Sequence, residues 1–178
     1  MNPERGHGGL ASDPSALPIV VANAVDASFL PLVEIVATSI AASATSGRPV
    51  DYHVLYDGPD SPAAARLVGW RAGPVAIHLH RVVNPFTGLG RISGYPPSTL
   101  FRLAIEDVLA DCGRVLYLDT DLLVRADLGE LFDTPLDGAA IGAAPDIGAI
   151  ENTLLRRPEG ARLALWLVPL LPRCAGPR

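Results

Sequence analysis

Apolar residues along the chain switch between two spacings, and each spacing predicts a different element. Residues 18–25, "PIVVANAV", form a short run rich in β-branched side chains, which is typical of a buried strand in a parallel sheet. Over residues 29–46 the apolar positions recur at helical spacing instead, and Gly47 and Pro49 end that segment. The pattern predicts a strand followed by a helix.

The same alternation continues through the middle of the sequence. Residues 50–56, "VDYHVLY", predict a second strand, and Pro62 is well placed in the first turn of a helix that continues through "AAARLVGW". In "PVAIHLHRV", residues 74–82, branched apolar residues and leucine alternate with alanine and two histidines. A third strand with one wetter face is therefore expected.

A loop rich in glycine and proline follows at residues 84–98, and loops of this length are often functional. Its last residue, Ser98, can cap a helix over residues 99–109, with Leu103 on the inward face. "RVLYLD", residues 114–119, is the most strand-like run of the chain, and "AAIGAAP", residues 139–145, predicts a fifth strand.

Strands that alternate with helical segments predict an α/β fold with a largely parallel central sheet. The pattern extends over residues 18–146, which we expect to form one domain. Residues 1–17 are rich in Gly, Pro and Ser and are expected to be a disordered leader, whereas residues 147–178 form a divergent terminal segment.

Composition narrows the possible functions. With 178 residues the chain can bury a sizeable core, and a net charge of -5 offers no basic face for nucleic acid. Cys112 and Cys174 are the only cysteines, so a disulfide framework is not expected. No signal peptide and no apolar run of the ~18 residues needed to span a membrane are found, and we expect a cytoplasmic protein.

Two carboxylates directly follow the fourth predicted strand. Asp119 and Asp121 lie two residues apart, so on an extended chain they point to the same side. At ~4 Å and an effective dielectric constant near 20 their repulsion would be about 4 kcal/mol, which favours a cation between them. Oxygen ligands suit Mg²⁺ or Mn²⁺, which commonly hold a substrate phosphate as well. On a surface loop the same pair would be solvated charge only, but the preceding apolar strand favours a metal site.

The segment "VLYLDTDLLV" resembles the metal-binding segment of glycosyltransferase family 8, which includes lipopolysaccharide galactosyl- and glucosyltransferases and the glycogenins. Other segments resemble that family in the same order. They are "IVVANAVDASFLPLVEIVATSI", "YHVLYDGPDS", "STLFRLAIEDVLADCGRVLYLDTDLLV" and "DLGELFDTPLDGAAIGAAPD". The resemblance extends over residues 18–146.

The resemblance implies a GT-A fold and transfer of a hexose from a UDP-sugar, with retention, to a saccharide or lipopolysaccharide-type acceptor. Asp119 and Asp121 match the ligands of Mn²⁺, or Mg²⁺ in its place. The residues that match donor-binding positions are Ala24, Asp26, Ser28, Arg102, Asp119, Thr120 and Asp121. Asp146 matches a carboxylate near the transferred sugar or the acceptor and is the candidate catalytic residue.

Departures from the family pattern lie mostly in the last third of the chain. The family's Asn-Ala-Gly segment is missing, as is its His-x-x-Gly-x-x-Lys-Pro-Trp-like segment, which supplies the third metal ligand. The chain has no Lys, and its histidines, His7, His53, His78 and His80, all precede Asp119. The apolar residues 163–171 are interpreted as a docking helix or as the out-of-frame end of a truncated product, and we expect weak activity or none.

Two alternative functions remain open. A haloacid-dehalogenase-type phosphatase also places two aspartates after an apolar strand, but its motif usually has Thr or Val where Leu123 stands, and it needs a later Lys. The other alternative is a non-catalytic nucleotide-sugar-binding remnant or a nonfunctional fragment. Titration with UDP and Mn²⁺ distinguishes these possibilities, because only a retained site binds both.

Overall fold

A mainly parallel sheet with helices on both faces forms the body of the molecule. The computed structural model describes residues 17–90 and 96–144, and the backbone of residues 167 and 168. The elements are β1 (Ile19–Asp26), α1 (Leu30–Ser43), β2 (Val50–Asp57), α2 (Pro62–Leu67), β3 (Arg71–Ala72), β4 (Val75–Arg81), a 3₁₀ helix (Pro97–Ala104), α3 (Ile105–Val108), β5 (Leu116–Tyr117), α4 (Gly129–Asp133), β6 (Gly142–Ala143) and β7 (Leu167–Val168).

The main sheet has the strand order β3-β4-β2-β1-β5. Strands β4, β2, β1 and β5 are parallel, and the short β3 pairs antiparallel with β4. From β1 the chain proceeds to β2 and β4 on one side and then returns to place β5 on the other side. In open α/β sheets ligands bind beyond the carboxyl ends of the strands where the chain changes direction in this way. That position lies here between β1 and β5.

Alternating side chains divide the core between the two sheet faces. Val21 and Tyr52 belong to a buried cluster shared with α1 and α2, whereas the next residue of β1, Ala22, faces a second cluster with Phe101 of the 3₁₀ helix. Both clusters contain almost fully buried side chains. The predicted α/β fold with a mainly parallel sheet is therefore confirmed, and the helices hold β1 and β5 from opposite faces.

The helix before β5 differs from the prediction. It starts as a 3₁₀ helix at Pro97, without a side-chain cap from Ser98, and continues as the short α3. Leu103, expected on the inward face, is 52% exposed, whereas Phe101 and Ala104 are buried. A 3₁₀ helix has three residues per turn, so its buried positions recur at i and i+3 and not at α-helical spacing.

Among the remaining elements, α2 and β4 lie close to their predicted positions, whereas β3 was not predicted. The predicted fifth strand, β6, lies outside the main sheet and pairs antiparallel with β7, a strand within residues 163–171, where a docking helix was one interpretation. Helix α2 begins at Pro62, and the Ser61 side chain accepts a hydrogen bond from the Ala64 N–H at 3.1 Å. The predicted third strand is β4, whose His78 and His80 are partly exposed. No helix within residues 17–90 and 96–144 is long and apolar enough to cross a membrane. The predicted leader and most of residues 147–178 lie outside the described residues.

Candidate functional site

A cleft of about 250 Å³ opens at the carboxyl ends of β1, β2 and β5. Its walls bring together residues that are far apart in the sequence because parallel strands end at the same edge of the sheet. Six of the predicted site residues line it, namely Ala24, Asp26, Arg102, Asp119, Thr120 and Asp121. The cleft therefore lies where the change of chain direction predicts a ligand.

Asp119 and Asp121 form the part of the cleft that follows β5. The apolar residues before them are buried, so the chain emerges from the core at Asp119, whose side chain is 26% exposed. Among the described residues no cluster of three or more His, Cys, Asp or Glu side chains has the arrangement of a metal site. The two carboxylates can supply hard oxygen ligands, and further ligands would have to come from a bound phosphate or from water.

Arg102, Tyr117 and Asp119 form a contact group in the wall of the cleft. The Tyr117 hydroxyl donates a hydrogen bond of 2.8 Å to Oδ1 of Asp119, and Nη2 of Arg102 lies 3.5 Å from the same oxygen. The Arg102 guanidinium also lies over the Tyr117 ring, 4.7 Å from its centroid, and its Nε donates to the Thr99 carbonyl at 3.0 Å. Arg102 thus contacts both the ring and the carboxylate.

The hydroxyl of Tyr117 keeps its proton firmly. Burial raises the pKa of Tyr117 well above its usual range, and the nearby Asp119 and Asp121 raise it further, although the Arg102 charge acts in the opposite direction. A protonated hydroxyl can only donate to the carboxylate beside it. The Tyr117 hydroxyl is therefore protonated at neutral pH and available as the donor to Asp119.

The end of β1 contributes the opposite wall of the cleft. Oδ1 of Asp26 accepts hydrogen bonds from the backbone N–H groups of Ser28 at 2.8 Å and Phe29 at 3.4 Å, which turn the chain into α1. Ser28 lies outside the cleft wall in the described structure and contacts Asp26 through its backbone only. Phe29 lines the cleft and is 48% exposed, so its ring is accessible to a ligand.

Several residues of the cleft were not predicted as site residues. Asp57 ends β2 opposite Asp26 in the strand register, and the buried Asn84 follows β4. The Asn84 side chain is fixed by a hydrogen bond of 2.9 Å from the Phe86 N–H to its Oδ1. Asp57 directly follows a predicted strand and Asn84 lies two residues after another, which is the signal that could have identified them.

A second, apolar groove of about 700 Å³ borders the cleft and shares Asp119 and Asp121 with it. Its wall consists mainly of leucines, alanines and prolines from β5, α4 and β6 and the turns between them. The candidate catalytic residue Asp146 lies outside the described residues, so its position relative to this groove is not described.

The described histidines lie apart from the cleft. His53 of β2 stacks on His78 and His80 of β4, with ring centroids 4.8 and 5.1 Å apart. Nδ1 of His53 and Nε2 of His80 are 2.9 Å apart, and Nε2 of His78 is 3.0 Å from Oδ1 of Asp51. His78 and His80 thus lie on the wetter face expected for the third predicted strand. His7 lies outside the described residues.

Comparison with known proteins gives consistent matches. The model of glycosyl transferase family 8 matches residues 20–160. Glycosyltransferase GlyF of Streptococcus pneumoniae serotype 4 (strain ATCC BAA-334 / TIGR4) is 29% identical over 138 residues, which cover 75% of this chain and 33% of GlyF. The chain therefore spans about a third of the length of that relative.

Solved structures agree with this result. The galactosyltransferase LgtC, crystallised with donor and acceptor sugar analogues, is 31% identical and matches with a TM-score of 0.62 over 80% of this chain and 50% of LgtC. The bifunctional glycosyltransferase WbbM, at 24% identity, shares the fold with a TM-score of 0.64 over 95% of this chain and 28% of WbbM.

Proposed function

Because the chain belongs to glycosyl transferase family 8, we propose that it binds a UDP-sugar and Mn²⁺, or Mg²⁺, in the cleft at the strand ends. The reaction we propose is transfer of a hexose to a saccharide or lipopolysaccharide-type acceptor, with retention of anomeric configuration, in the cytoplasm. Residues 18–146 would form the nucleotide-sugar-binding domain. The general activity of the family is glycosyl transfer, and the proposal specifies in addition the donor, the metal ion and the class of acceptor.

One observation carries the proposal: a single cleft collects carboxylates, a guanidinium and an accessible aromatic ring from three strand ends and the 3₁₀ helix. A nucleoside diphosphate has an aromatic base, hydroxyl groups and a doubly charged diphosphate. Phe29 is suited to the base, Asp26 to hydrogen-bond donors of the nucleoside, and Arg102 to the diphosphate. Thr120 and Ala24 complete the wall between these groups.

Asp119 and Asp121 are the groups that would hold the metal ion. Their oxygens match the ligand preference of Mn²⁺ and Mg²⁺, and the diphosphate would supply the oxygens that the described residues do not. When bound, the ion neutralises negative charge that develops on UDP as the bond to the anomeric carbon breaks. Arg102 adds a fixed positive charge beside Asp119 and stabilises the same leaving group.

A second candidate function, nucleotide-sugar binding without turnover, has its own support. The described cleft holds groups suited to a nucleoside diphosphate, such as Phe29, Asp26 and Arg102, whereas the candidate catalytic residue Asp146 lies outside the described residues. Binding requires the cleft alone, whereas transfer also requires groups that hold the sugar and the acceptor.

Titration calorimetry with UDP, in the presence and absence of Mn²⁺, tests the proposed site. We expect Mn²⁺ to strengthen UDP binding, and we expect Asp119→Asn or Asp121→Asn to weaken the metal-dependent binding at least about tenfold because a charged ligand is lost. Asp107→Asn is the matched control, since Asp107 is an exposed carboxylate on α3 outside the cleft.

One result would contradict the proposed metal site. Equal UDP affinity in the parent chain and in both cleft variants would exclude a metal-dependent site at Asp119 and Asp121. Release of UDP from UDP-glucose or UDP-galactose, measured with the same samples, then separates an enzyme from a protein that only binds the nucleotide sugar.

A further inference from the structure

We propose that Tyr117 is a positioning residue, which fixes the Asp119 carboxylate so that one of its oxygens remains for a divalent cation. The inference rests on the proposed function, because it assigns Tyr117 a role toward the metal ion of that same site. Tyr117 itself would touch neither the metal ion nor the nucleotide sugar.

The geometry around Asp119 supports this assignment. The Tyr117 hydroxyl, 2.8 Å away, and the Arg102 Nη2, 3.5 Å away, both approach Oδ1. Contacts on one oxygen restrict rotation of the carboxylate and leave Oδ2 as the oxygen for a metal ion. Hydrogen bonds from outer residues orient metal-binding side chains in this way, and their loss typically weakens metal affinity about 10- to 100-fold.

The position of the Tyr117 hydroxyl is itself restrained. Its ring is buried in the cluster with Phe101 and Ala104, on the sheet face that the 3₁₀ helix covers. The Arg102 guanidinium also lies 4.7 Å from the ring centroid. These contacts restrain the ring, whose hydroxyl is hydrogen-bonded to Asp119, two residues further along the same extended segment.

The chain offers a closely matched control in Tyr56. The Arg81 guanidinium also lies 4.7 Å from its ring centroid, and the ring is equally buried in the sheet. Its hydroxyl, however, donates a 2.9 Å hydrogen bond to the Pro59 carbonyl and to no carboxylate. Tyr56→Phe therefore removes the same group from the same kind of environment without contact with the proposed metal ligands.

The experiment measures Mn²⁺ affinity of the full chain in the presence of UDP, from the paramagnetic resonance signal of free Mn²⁺. We expect Tyr117→Phe to weaken Mn²⁺ binding about tenfold and Tyr56→Phe to change it less than twofold. In an Asp119→Asn background, Tyr117→Phe should have no further effect, because the carboxylate that it positions is gone. UDP affinity without metal should be the same for Tyr117→Phe and the parent.

Three outcomes would overturn the inference. The first is Mn²⁺ affinity of Tyr117→Phe within twofold of the parent, while Asp119→Asn still weakens binding as expected; the proposed function then stands and the role of Tyr117 does not. The second is a loss of metal-free UDP binding in Tyr117→Phe that is as large as its loss of Mn²⁺ binding, which indicates structural damage. The third is a parent chain that binds no Mn²⁺ with UDP, which overturns the proposed function together with the inference.

Discussion

At the scale of single residues, two aromatic side chains give the cleft properties that its carboxylates alone do not have. Tyr117 is buried, and its hydroxyl donates a hydrogen bond to Asp119. Phe29, which follows β1, is half exposed. One ring supports a charged group and the other offers a flat apolar surface to a ligand. A nucleotide would therefore contact Phe29 directly, whereas Tyr117 would act on the site only through Asp119.

Replacement of Phe29 by alanine tests the base-binding role. We expect UDP affinity to fall by about 1 kcal/mol, or five- to tenfold, because stacking of a base on an aromatic ring contributes ~1–3 kcal/mol. Mn²⁺ should still strengthen UDP binding in this variant, since Asp119 and Asp121 are unchanged. Calorimetry measures both, and Ile35→Ala serves as a control because Ile35 is 52% exposed on α1 away from the cleft. Unchanged UDP affinity would exclude stacking on Phe29.

The sequence could predict the charged part of the site but not its supporting residues. Asp119 and Asp121 were identifiable because two carboxylates directly after a buried strand are an unusual pattern. Tyr117 lies within the apolar run itself, where its hydroxyl gives no signal in the spacing. Its role depends on a contact with Arg102, which lies on another element, and only the folded chain brings the two together.

At the scale of elements, the α/β fold with a mainly parallel sheet was predictable because apolar spacing alternates so regularly between strand and helix, whereas its GT-A type was implied by the family resemblance. The helix before β5 was not, since a 3₁₀ helix and an α-helix have similar sequences and differ in which residues face inward. The difference matters for the site. The 3₁₀ segment turns Phe101 into the core and leaves Arg102 beside Tyr117 at the edge of the cleft.

The histidines of β2 and β4 make the free energy of unfolding depend on pH, and they lie apart from the cleft. Burial, together with the neighbouring His78 and His80, lowers the pKa of His53 from 6.5 to about 4, although Asp51 acts in the opposite direction. Burial and His78 also lower the pKa of His80. At pH values between the lowered pKa of His53 and its ordinary value, the unfolded chain therefore binds more protons than the folded chain. The free energy of unfolding must fall as the pH is lowered through this range.

We expect the free energy of unfolding to decrease from about pH 6.5 to about pH 4, the range set by the shifted pKa of His53. With solvent screening of this partly exposed group taken into account, its share is on the order of 1 kcal/mol. Urea denaturation at several pH values measures the slope, and His53→Asn should make it shallower. An identical slope in the variant would contradict the prediction.

At the scale of the whole molecule, Arg48 joins three distant segments at the end of the sheet opposite the cleft. Its Nε donates to the Leu17 carbonyl at 2.5 Å, and its Nη1 lies 2.7 Å from Oδ2 of Asp133 in α4. The guanidinium also lies 5.3 Å from the centroid of the Phe132 ring. Arg48 is only 8% exposed, so its contacts should contribute more than those of a surface arginine.

Arg48→Gln should lower the free energy of unfolding by about 2 kcal/mol, because Asp133 loses its ion-pair partner and the Leu17 carbonyl loses a hydrogen bond from a charged donor. Arg66→Gln is the control, since Arg66 is exposed and its ion pair with Glu34, at 3.5 Å, should contribute about 0.5 kcal/mol or less. Urea denaturation curves compare the two. Equal effects would show that Arg48 has no special role at this end of the sheet.

The pairing of β1 with β5 has a consequence for the order in which the molecule assembles. Eight residue pairs join β1 to β2, but only Val21 with Leu116 and Ala22 with Tyr117 join β1 to β5. During synthesis β1, β2 and β4 leave the ribosome before β5, so the wall that carries Asp26 can form first. The carboxylates after β5 therefore join the cleft last, and only two residue pairs hold β5 against β1. A nucleotide that contacts both walls of the cleft would stabilise this pairing.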